Sequence, residues 1–383
     1  MKIVIIGTAY PMRGGIAQYN SILYKYLSAE NDVKIYSFKR QYPEFLFPGK
    51  TQFETGEPAF KIPDDRNVIA VDSINPFNWF FTALKIRKEK PDLLIYKYWI
   101  PFFAPCLFTI SFFVKLFTGT KVLTICDNVI PHEKRFGDLT LTRLVFSMVN
   151  YFIVQSKTVE KDLALFNKKN KPYKLSPHPL YNTFGEKLDK ADARKYIEDN
   201  YNLKFDTDKV ILFFGFIRKY KGLMYLIEAM PEILKSNNVK LLIAGEFYDD
   251  GKPYTDKIKE LGLENNIILL SDFLPDEKVR YFFSACDALV LPYTDATQSG
   301  IVQIAYYYDK PAVVTDVGGL SEVVINDKTG IIINPGDVNA IAEAVNRFYI
   351  ENLEEKFSGN VKTEKLKYSW EVFVRNIMSM AKK

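Results

Sequence analysis

The second half of the chain alternates short, unbroken apolar runs with longer segments in which apolar residues recur every three or four positions. The runs read as strands near 209–216 (KVILFFGF), 239–244, 266–270, 288–292, 312–315 and 330–333. The segments between them read as helices from Leu223, from about 253, and over 276–285, 300–308, 319–325 and 338–350. Strands that are apolar on both faces, separated by amphipathic helices, predict βαβ units and a parallel sheet. The first half repeats the style less cleanly, with strands near 2–6, 33–37, 68–72, 93–97, 121–126 and 151–155. Residues 40–66, rich in Pro, Phe, Gly and charge, break the alternation and are expected to form a long surface loop near a ligand edge.

Between the halves, KPYKLSPHPLYNTFGEK (171–187) carries three prolines and no clear period, as a domain boundary should. The expected division is a first Rossmann-like domain over 1–180 and a second over 188–365, with a hinge near 178–190. The terminal KLKYSWEVFVRNIMSMAKK reads as an amphipathic helix with Trp370, Phe373 and Ile377 on one face. Such a helix, within 366–383, can dock on either domain, including back on the first. The fold class is therefore α/β, two Rossmann-like domains facing each other across an interdomain cleft, an arrangement suited to a nucleotide-bearing donor on one side and an acceptor on the other.

Composition changes this picture in three places. A chain of 383 residues is too long for one core, which agrees with two domains. The formal charge of +5, from 51 basic and 46 acidic residues, falls short of a nucleic-acid footprint but suits an anionic ligand or acidic lipid. Three distant cysteines, Cys106, Cys126 and Cys286, argue for a reducing compartment and against a disulfide or zinc framework. The expected location is cytoplasmic, with the inner face of the membrane as an extension of that reading. The opening MKIVIIG is too short for a signal-peptide core and reads as a first strand ending in glycine.

One segment imitates a membrane span, WIPFFAPCLFTISFFVKLF (99–117). Only 13 residues separate Pro101 from Lys115, whereas a spanning helix needs about 20. A buried helix is expected; the alternative is an interfacial helix that brings the protein to a lipid-linked substrate by a peripheral membrane contact.

Candidate chemistry concentrates at loop-to-helix junctions. In PYTDATQSGIVQIAYYYDKPAVVTDVGGLSEVV (292–324), two successive strands each lead through a loop into a helix. Both junctions would lie at the carboxyl edge of the sheet, where free helix N–H groups make anion sites. A phosphate-bearing ligand is the first expectation. Gly7 and PMRGGIAQY place Gly14 and Gly15, beside Arg13, just before a helix; the spacing is not GxGxxG, so this is either a phosphate loop or a plain tight turn. In FFGFIRKYKGL a strand ends at Gly215 and a loop carries Arg218, Lys219 and Lys221 into a helix. These cations can neutralise a diphosphate leaving group, or form a solvated basic turn. LTICDNVIPHEKR follows a strand with Asp127, Asn128, His132 and Glu133; Asp127 can orient or deprotonate an acceptor hydroxyl, or merely cap the next turn. His178, between prolines, reads as structural. No metal site is expected: Asp206-x-Asp208 precedes a strand, at the wrong edge, and reads as a turn.

Across PMRGGIAQY, CDNVIPHE, HPLY (178–181), FGFIRKYKGL, SDFLPDEKVRYFFSACDALVLPY, the 296–324 run and the terminal YSWE, the chain resembles the retaining glycosyltransferases of family 4, whose two facing Rossmann-like domains form the GT-B fold. The resemblance covers nearly the full length. It implies that Lys221 holds the donor diphosphate, and that Arg218 replaces the family's arginine, whose position falls on Phe216. Gly300 and Ile301 match the loop whose amides meet the phosphates, and Gly14 and Gly15 the loop of the first domain. Two family glutamates eight positions apart fall on Thr297 and Ala305, and a common histidine falls on Asp127. Gln298, Ser299, Gln303 and Glu322 are the candidates to take over the sugar and ribose contacts.

What the resemblance implies is a metal-independent, configuration-retaining transferase that moves a sugar from a nucleoside-diphosphate sugar to a hydroxyl of a saccharide or glycolipid, as in surface polysaccharide synthesis. Its only cofactor-like partner would be the nucleotide-sugar co-substrate. Arg218 and Lys221 would stabilise the leaving diphosphate while Asp127 and His132 position the acceptor. Two other readings stay open, a nucleotide-sugar epimerase of the same architecture and a nucleotide-sugar-binding protein that lost catalysis with the glutamates.

Overall fold

The computed structural model describes residues 1–43, 51–54, 56–58, 60–116, 118–131, 135–206, 209–272, 274–297 and 299–382. The chain divides into two compact units, Met1–Pro179 with Ser369–Lys383, and Leu180–Tyr368.

The first unit is built on strands β1 (Lys2–Gly7), β2 (Asp32–Arg40), β3 (Asn67–Asp72), β4 (Leu93–Tyr98), β5 (Lys121–Cys126), β6 (Tyr151–Val154) and β7 (Tyr173–Leu175). They pair in the order β3-β2-β1-β4-β5-β6-β7, every pair parallel. Helices α1 (Gly15–Leu27), α2 (Pro76–Glu89), α3 (Ala104–Lys115), α4 (Asp138–Met148) and α5 (Lys157–Ala164) make the crossovers. The strands are unbroken apolar runs because helices cover both faces: Ile3, Val4, Ile5 and Ile6 are all buried, as is the whole of β4. Buried Lys97 lies inside β4.

The second unit repeats the plan. Strands β8 (Lys209–Phe214), β9 (Val239–Ala244), β10 (Ile267–Leu270), β11 (Ala288–Leu291), β12 (Ala312–Thr315) and β13 (Gly330–Ile333) pair in the order β10-β9-β8-β11-β12-β13, again all parallel. Its helices are α6 (Lys190–Tyr201), α7 (Leu223–Ser236), α8 (Lys252–Glu260), α9 (Asp276–Ala285), α10 (Gly300–Tyr307), α11 (Leu320–Val323), α12 (Val338–Ile350) and α13 (Leu353–Glu364). Each sheet thus reverses its strand order beside its first strand, and the loops at that reversal are where a doubly wound sheet opens a crevice at its carboxyl edge.

The final helix α14 (Trp370–Ala381) belongs to the first unit. Ser369 caps it through its Oγ, which accepts from the Val372 amide at 3.3 Å. Trp370, Phe373 and Ile377 are buried, with Trp370 stacked on Tyr26 and edge-on to Tyr19.

Three local features depart from the sequence pattern. β7 falls within the proline-rich stretch read as boundary; three residues are too few to show a period, and it forms only as an edge partner of β6. α13 has no counterpart among the expected elements. The run after Trp99 begins with a 3-10 turn at Pro101–Phe103 and becomes α3, which buries Cys106, Leu107, Ile110 and Val114. No helix among the described residues is long and apolar enough to cross a membrane.

The expected surface loop at 40–66 is tied, where it is described, to the loop after β1. The Arg13 amide donates to the Gln52 carbonyl at 3.0 Å, and the Glu54 amide to Pro11 at 2.9 Å.

Candidate functional site

In the second unit, the carboxyl edge of the sheet gathers three segments around one lysine. β8 ends at Phe214, and Gly215 follows with φ +97°, a left-handed conformation that disfavours any side chain. A Cβ there would lie 2.7 Å from Ile301 Cδ1 and 3.4 Å from Lys221 Nζ. The ammonium and the first turn of α10 therefore close directly over this glycine. The short turn Lys219–Lys221 is clamped from the other side: a Cβ on Gly222 would meet the Pro292 carbonyl oxygen at 1.9 Å, and the Thr294 amide donates to the Tyr220 carbonyl at 2.8 Å.

Lys221 is 8% exposed, and its Nζ lies 5.6 Å from the Tyr293 ring centroid. Among the described residues no carboxylate pairs with it. Burial, with the nearby Arg218 charge adding to it, pushes the ammonium down to about 7. A buried cation without an internal partner costs stability unless something external meets it. Arg218 is half-buried, its guanidinium 5.1 Å from the Tyr248 ring centroid, while Phe216 packs on the same ring at 4.3 Å. Lys219 is exposed and its amide donates to Asp249 at 2.6 Å, so it belongs to the turn rather than to the pocket.

Ser299 caps α10, its Oγ accepting from the Ile301 amide at 3.3 Å. A Cβ on Gly300 would come within 2.7 Å of Tyr181, so that only glycine lets this ring lie over the helix start. The structure therefore brings Gly215, Lys221, Ser299, Gly300 and Ile301 together. Gln303 is wholly buried, with neither amide atom bonded among the described residues. Thr297 is buried in the loop, its carbonyl accepting from the Gly319 amide at 3.0 Å, and Ala305 is fully enclosed. Glu322 is exposed on α11. Gln298 and, in the first unit, His132 lie outside the described residues.

One expectation is corrected here. The Gly-Gly junction after β12 does not open a full helix N-terminus, because α11 is four residues long and Gly319 provides no side-chain cap. So short a turn aligns too few peptide dipoles to hold an anion. Gly318 serves packing instead, since a Cβ would meet the Ala296 carbonyl oxygen at 1.6 Å.

In the first unit, Gly14 precedes α1 with φ +99° and open space where a Cβ would stand, and Gly15 is exposed at the first turn. Gly7 is a close-approach glycine: a Cβ would sit 2.5 Å from Asn20 Nδ2, which donates to the Thr8 carbonyl at 2.9 Å. Asp127 follows β5 and is bound by a residue the sequence reading passed over. Lys97 Nζ, on the neighbouring β4, donates to Asp127 Oδ1 at 2.6 Å with both side chains buried. The same ammonium lies 3.7 Å from the Tyr19 ring centroid, and the Tyr19 hydroxyl accepts from Gln155 Nε2 at 3.0 Å. Burial lowers the Lys97 pKa against the opposing pull of Asp127. His178 packs edge-on to Tyr19 at 5.0 Å and its Nδ1 donates to the Pro179 carbonyl at 2.7 Å. Burial and the Lys97 charge push its pKa down to about 3, so the imidazole stays neutral. The signal for Lys97 was present in LLIYKY, where one cation interrupts an otherwise apolar run.

Residues 196–364 match the family model described as glycosyl transferases group 1. The chain is 32% identical over 181 residues to an uncharacterized glycosyltransferase of Methanocaldococcus jannaschii, a match spanning 46% of this chain and 45% of that protein's length. It is 25% identical over 311 residues to alpha-1,3/1,6-mannosyltransferase ALG2 of Dictyostelium discoideum, covering 70% of this chain and 72% of that one. Among solved structures, Anabaena Alr3699/HepE in complex with UDP and glucose superposes with a TM-score of 0.74 at 16% identity, covering 99% of this chain and 98% of that one. At that identity the likeness speaks for the fold of two Rossmann-like domains.

Proposed function

We propose, since residues 196–364 match the family model of the glycosyl transferases group 1, that this chain moves a sugar from a nucleoside diphosphate to a hydroxyl of a saccharide or glycolipid acceptor, with retention at the anomeric carbon and without a metal ion. The observation that carries this reading is the buried Lys221 ammonium, which no described acid neutralises, set over Gly215 beside the start of α10. A departing nucleoside diphosphate gains negative charge as the glycosidic C–O bond breaks, and a fixed cation in a dry site stabilises that charge most. Arg218 supplies a second charge, and Gly300 and Ile301 supply amides at a capped helix start. The leaving phosphate oxygen can take the proton of a hydroxyl approaching the same face, so the step requires no protein nucleophile. Asp127, held by Lys97, orients the acceptor hydroxyl. The mannosyl transfer in the name of ALG2 and the UDP and glucose bound to HepE support a nucleotide-sugar donor of this kind. The three cysteines are buried free thiols, which supports a reducing, cytoplasmic setting.

Nucleotide release from a panel of uridine, guanosine and adenosine diphosphate sugars, with and without chelator, tests the reaction, and the anomer of the product tests its stereochemistry. Absence of both turnover and nucleotide-induced thermal stabilisation across the panel would sink the proposal. Loss of turnover in chelator, or an inverted product, would sink its finer parts.

The low Lys221 pKa also fixes a pH dependence. Above about 7 the unliganded lysine is neutral, whereas a bound diphosphate favours the ammonium, so binding takes up a proton. Nucleoside diphosphate affinity should fall as pH rises from 7 to 9, by up to about tenfold per unit. Lys221→Arg, which stays charged, should flatten the profile in isothermal titration; an unchanged slope would show that another group titrates.

A further inference from the structure

The segment that imitates a membrane span buries one side of α3, and the most exposed apolar residues appear one helix earlier. Asn75 Oδ1 accepts from the Asn78 amide at 3.1 Å, with Pro76 at the first position, so α2 begins firmly. Thr82, Ala83 and Ile86 point into the unit. On the opposite stripe, Phe77 is 80% and Phe81 59% exposed, one turn apart, and exposed Lys85 and Lys88 continue the same face. Beside them, Phe80 packs edge-on to Phe113 of α3 at 4.9 Å, and α3 adds Phe112 and its C-cap Leu116, both exposed. Leaving two phenyl rings in water forgoes the stabilisation that burial would bring, and a contiguous patch of this kind marks a docking surface.

The charge around the patch names the occupant. From Ser73 to Asp92, the stretch that holds α2, there are four basic residues, Lys85, Arg87, Lys88 and Lys90, against the two acids Glu89 and Asp92. Both acids are engaged at the amino edge of the sheet: Lys2 and Lys34 pair with Glu89, and Asp92 accepts from the Lys2 amide. The outward stripe of α2 therefore offers aromatics followed by lysines and no carboxylate. That order suits the boundary between acyl chains and anionic headgroups, where rings insert and lysine stems reach back to phosphate. A protein partner would have to bring carboxylates opposite the lysines as well as pockets for both rings.

We propose that the outward stripe of α2, from Phe77 to Lys88, with Phe112 of α3 and the Leu116 that caps it, docks the protein on an anionic lipid bilayer. Phe77 lies in the first turn of α2, which leaves the carboxyl edge of the sheet, the same edge that carries Gly14 and Asp127. Docking there presents a membrane-borne acceptor to that edge; this consequence rests on the glycolipid reading above, whereas the docking itself does not.

The test is sedimentation of the full chain with phosphatidylcholine vesicles that contain or lack phosphatidylglycerol, in the absence of any sugar donor. The protein should bind the anionic vesicles at least about tenfold more than the neutral ones and release in high salt. Phe77→Ser with Phe81→Ser should lower binding about tenfold at unchanged thermal melting, and Lys85→Glu with Lys88→Glu should abolish the lipid preference. The idea fails if the wild-type chain ignores anionic vesicles, or if the phenylalanine variant binds them undiminished. It fails equally if the chain is an oligomer in solution that the same substitutions dissociate, since the stripe then meets a second copy. Because no donor is present, failure here leaves the transferase reading intact, and loss of turnover would leave lipid binding intact.

Discussion

Replacing Lys221 by methionine is expected to lower kcat/KM by about three orders of magnitude while raising the melting temperature of the second unit. The two effects share one cause. In the unliganded protein the ammonium is buried, meets no described carboxylate and feels Arg218 nearby, so its charged form is disfavoured by the fold. For a lysine with a depressed folded-state pKa, the unfolded chain binds more protons between about 7 and 10.5, so stability rises with pH across that window and the penalty is fully present below it. Methionine keeps an unbranched stem over Gly215 and removes the charge, which relieves that penalty. During transfer the same charge faces the departing diphosphate, and loss of one such preorganised group costs roughly 3–4 kcal/mol of barrier. Differential scanning calorimetry below pH 7 and steady-state kinetics read the pair of changes. A structural lysine would behave oppositely, with a lower melting temperature and near-normal turnover, and that outcome removes Lys221 from the donor site.

Why was this half of the site visible before the fold? Gly215, Lys221 and the Ser299–Ile301 turn all stand at the ends of apolar runs, and in a parallel sheet those ends share one edge. Strand ends are set by hydrophobic pattern, so the pattern alone groups the residues. The rest depends on side chains meeting across strands. Lys97 reads as an interruption of β4 until β5 is laid beside it and Asp127 closes the charge. Gln303 reads as a polar, ligand-facing residue of α10, yet the helix turns it into the interior. For α11 the glycine pair was legible but the length was not, because Val324 leaves helical geometry one turn after the start. β7 is a strand by virtue of its neighbour rather than its own three residues. The exposed rings of α2 escaped notice for a related reason: composition drew attention to α3, and only the packing of α2 on α3 shows which phenylalanines remain outside.

Substitution at the Lys97–Asp127 pair should separate folding from acceptor chemistry. Lys97→Met leaves the Asp127 carboxylate buried beside an apolar side chain, and breaking a buried pair by removing one partner costs about 3–5 kcal/mol. For a unit of this size that corresponds to a drop of roughly 10 °C in its melting transition. Lys97→Met combined with Asp127→Leu removes both charges, and such replacements are often neutral, so the melting temperature should return to within a few degrees of wild type. Turnover should not return. If Asp127 orients the acceptor hydroxyl, the double variant still binds nucleotide through Lys221 but its kcat/KM for the acceptor stays down by about 10²-fold, the usual cost of a misplaced reacting group. Asp127→Asn distinguishes charge from geometry: it retains an oxygen for Lys97 to donate to, while the carboxylate charge is gone. Should the double variant recover both stability and turnover, Lys97 and Asp127 are a strut between β4 and β5, and acceptor orientation falls to residues elsewhere on the same sheet edge.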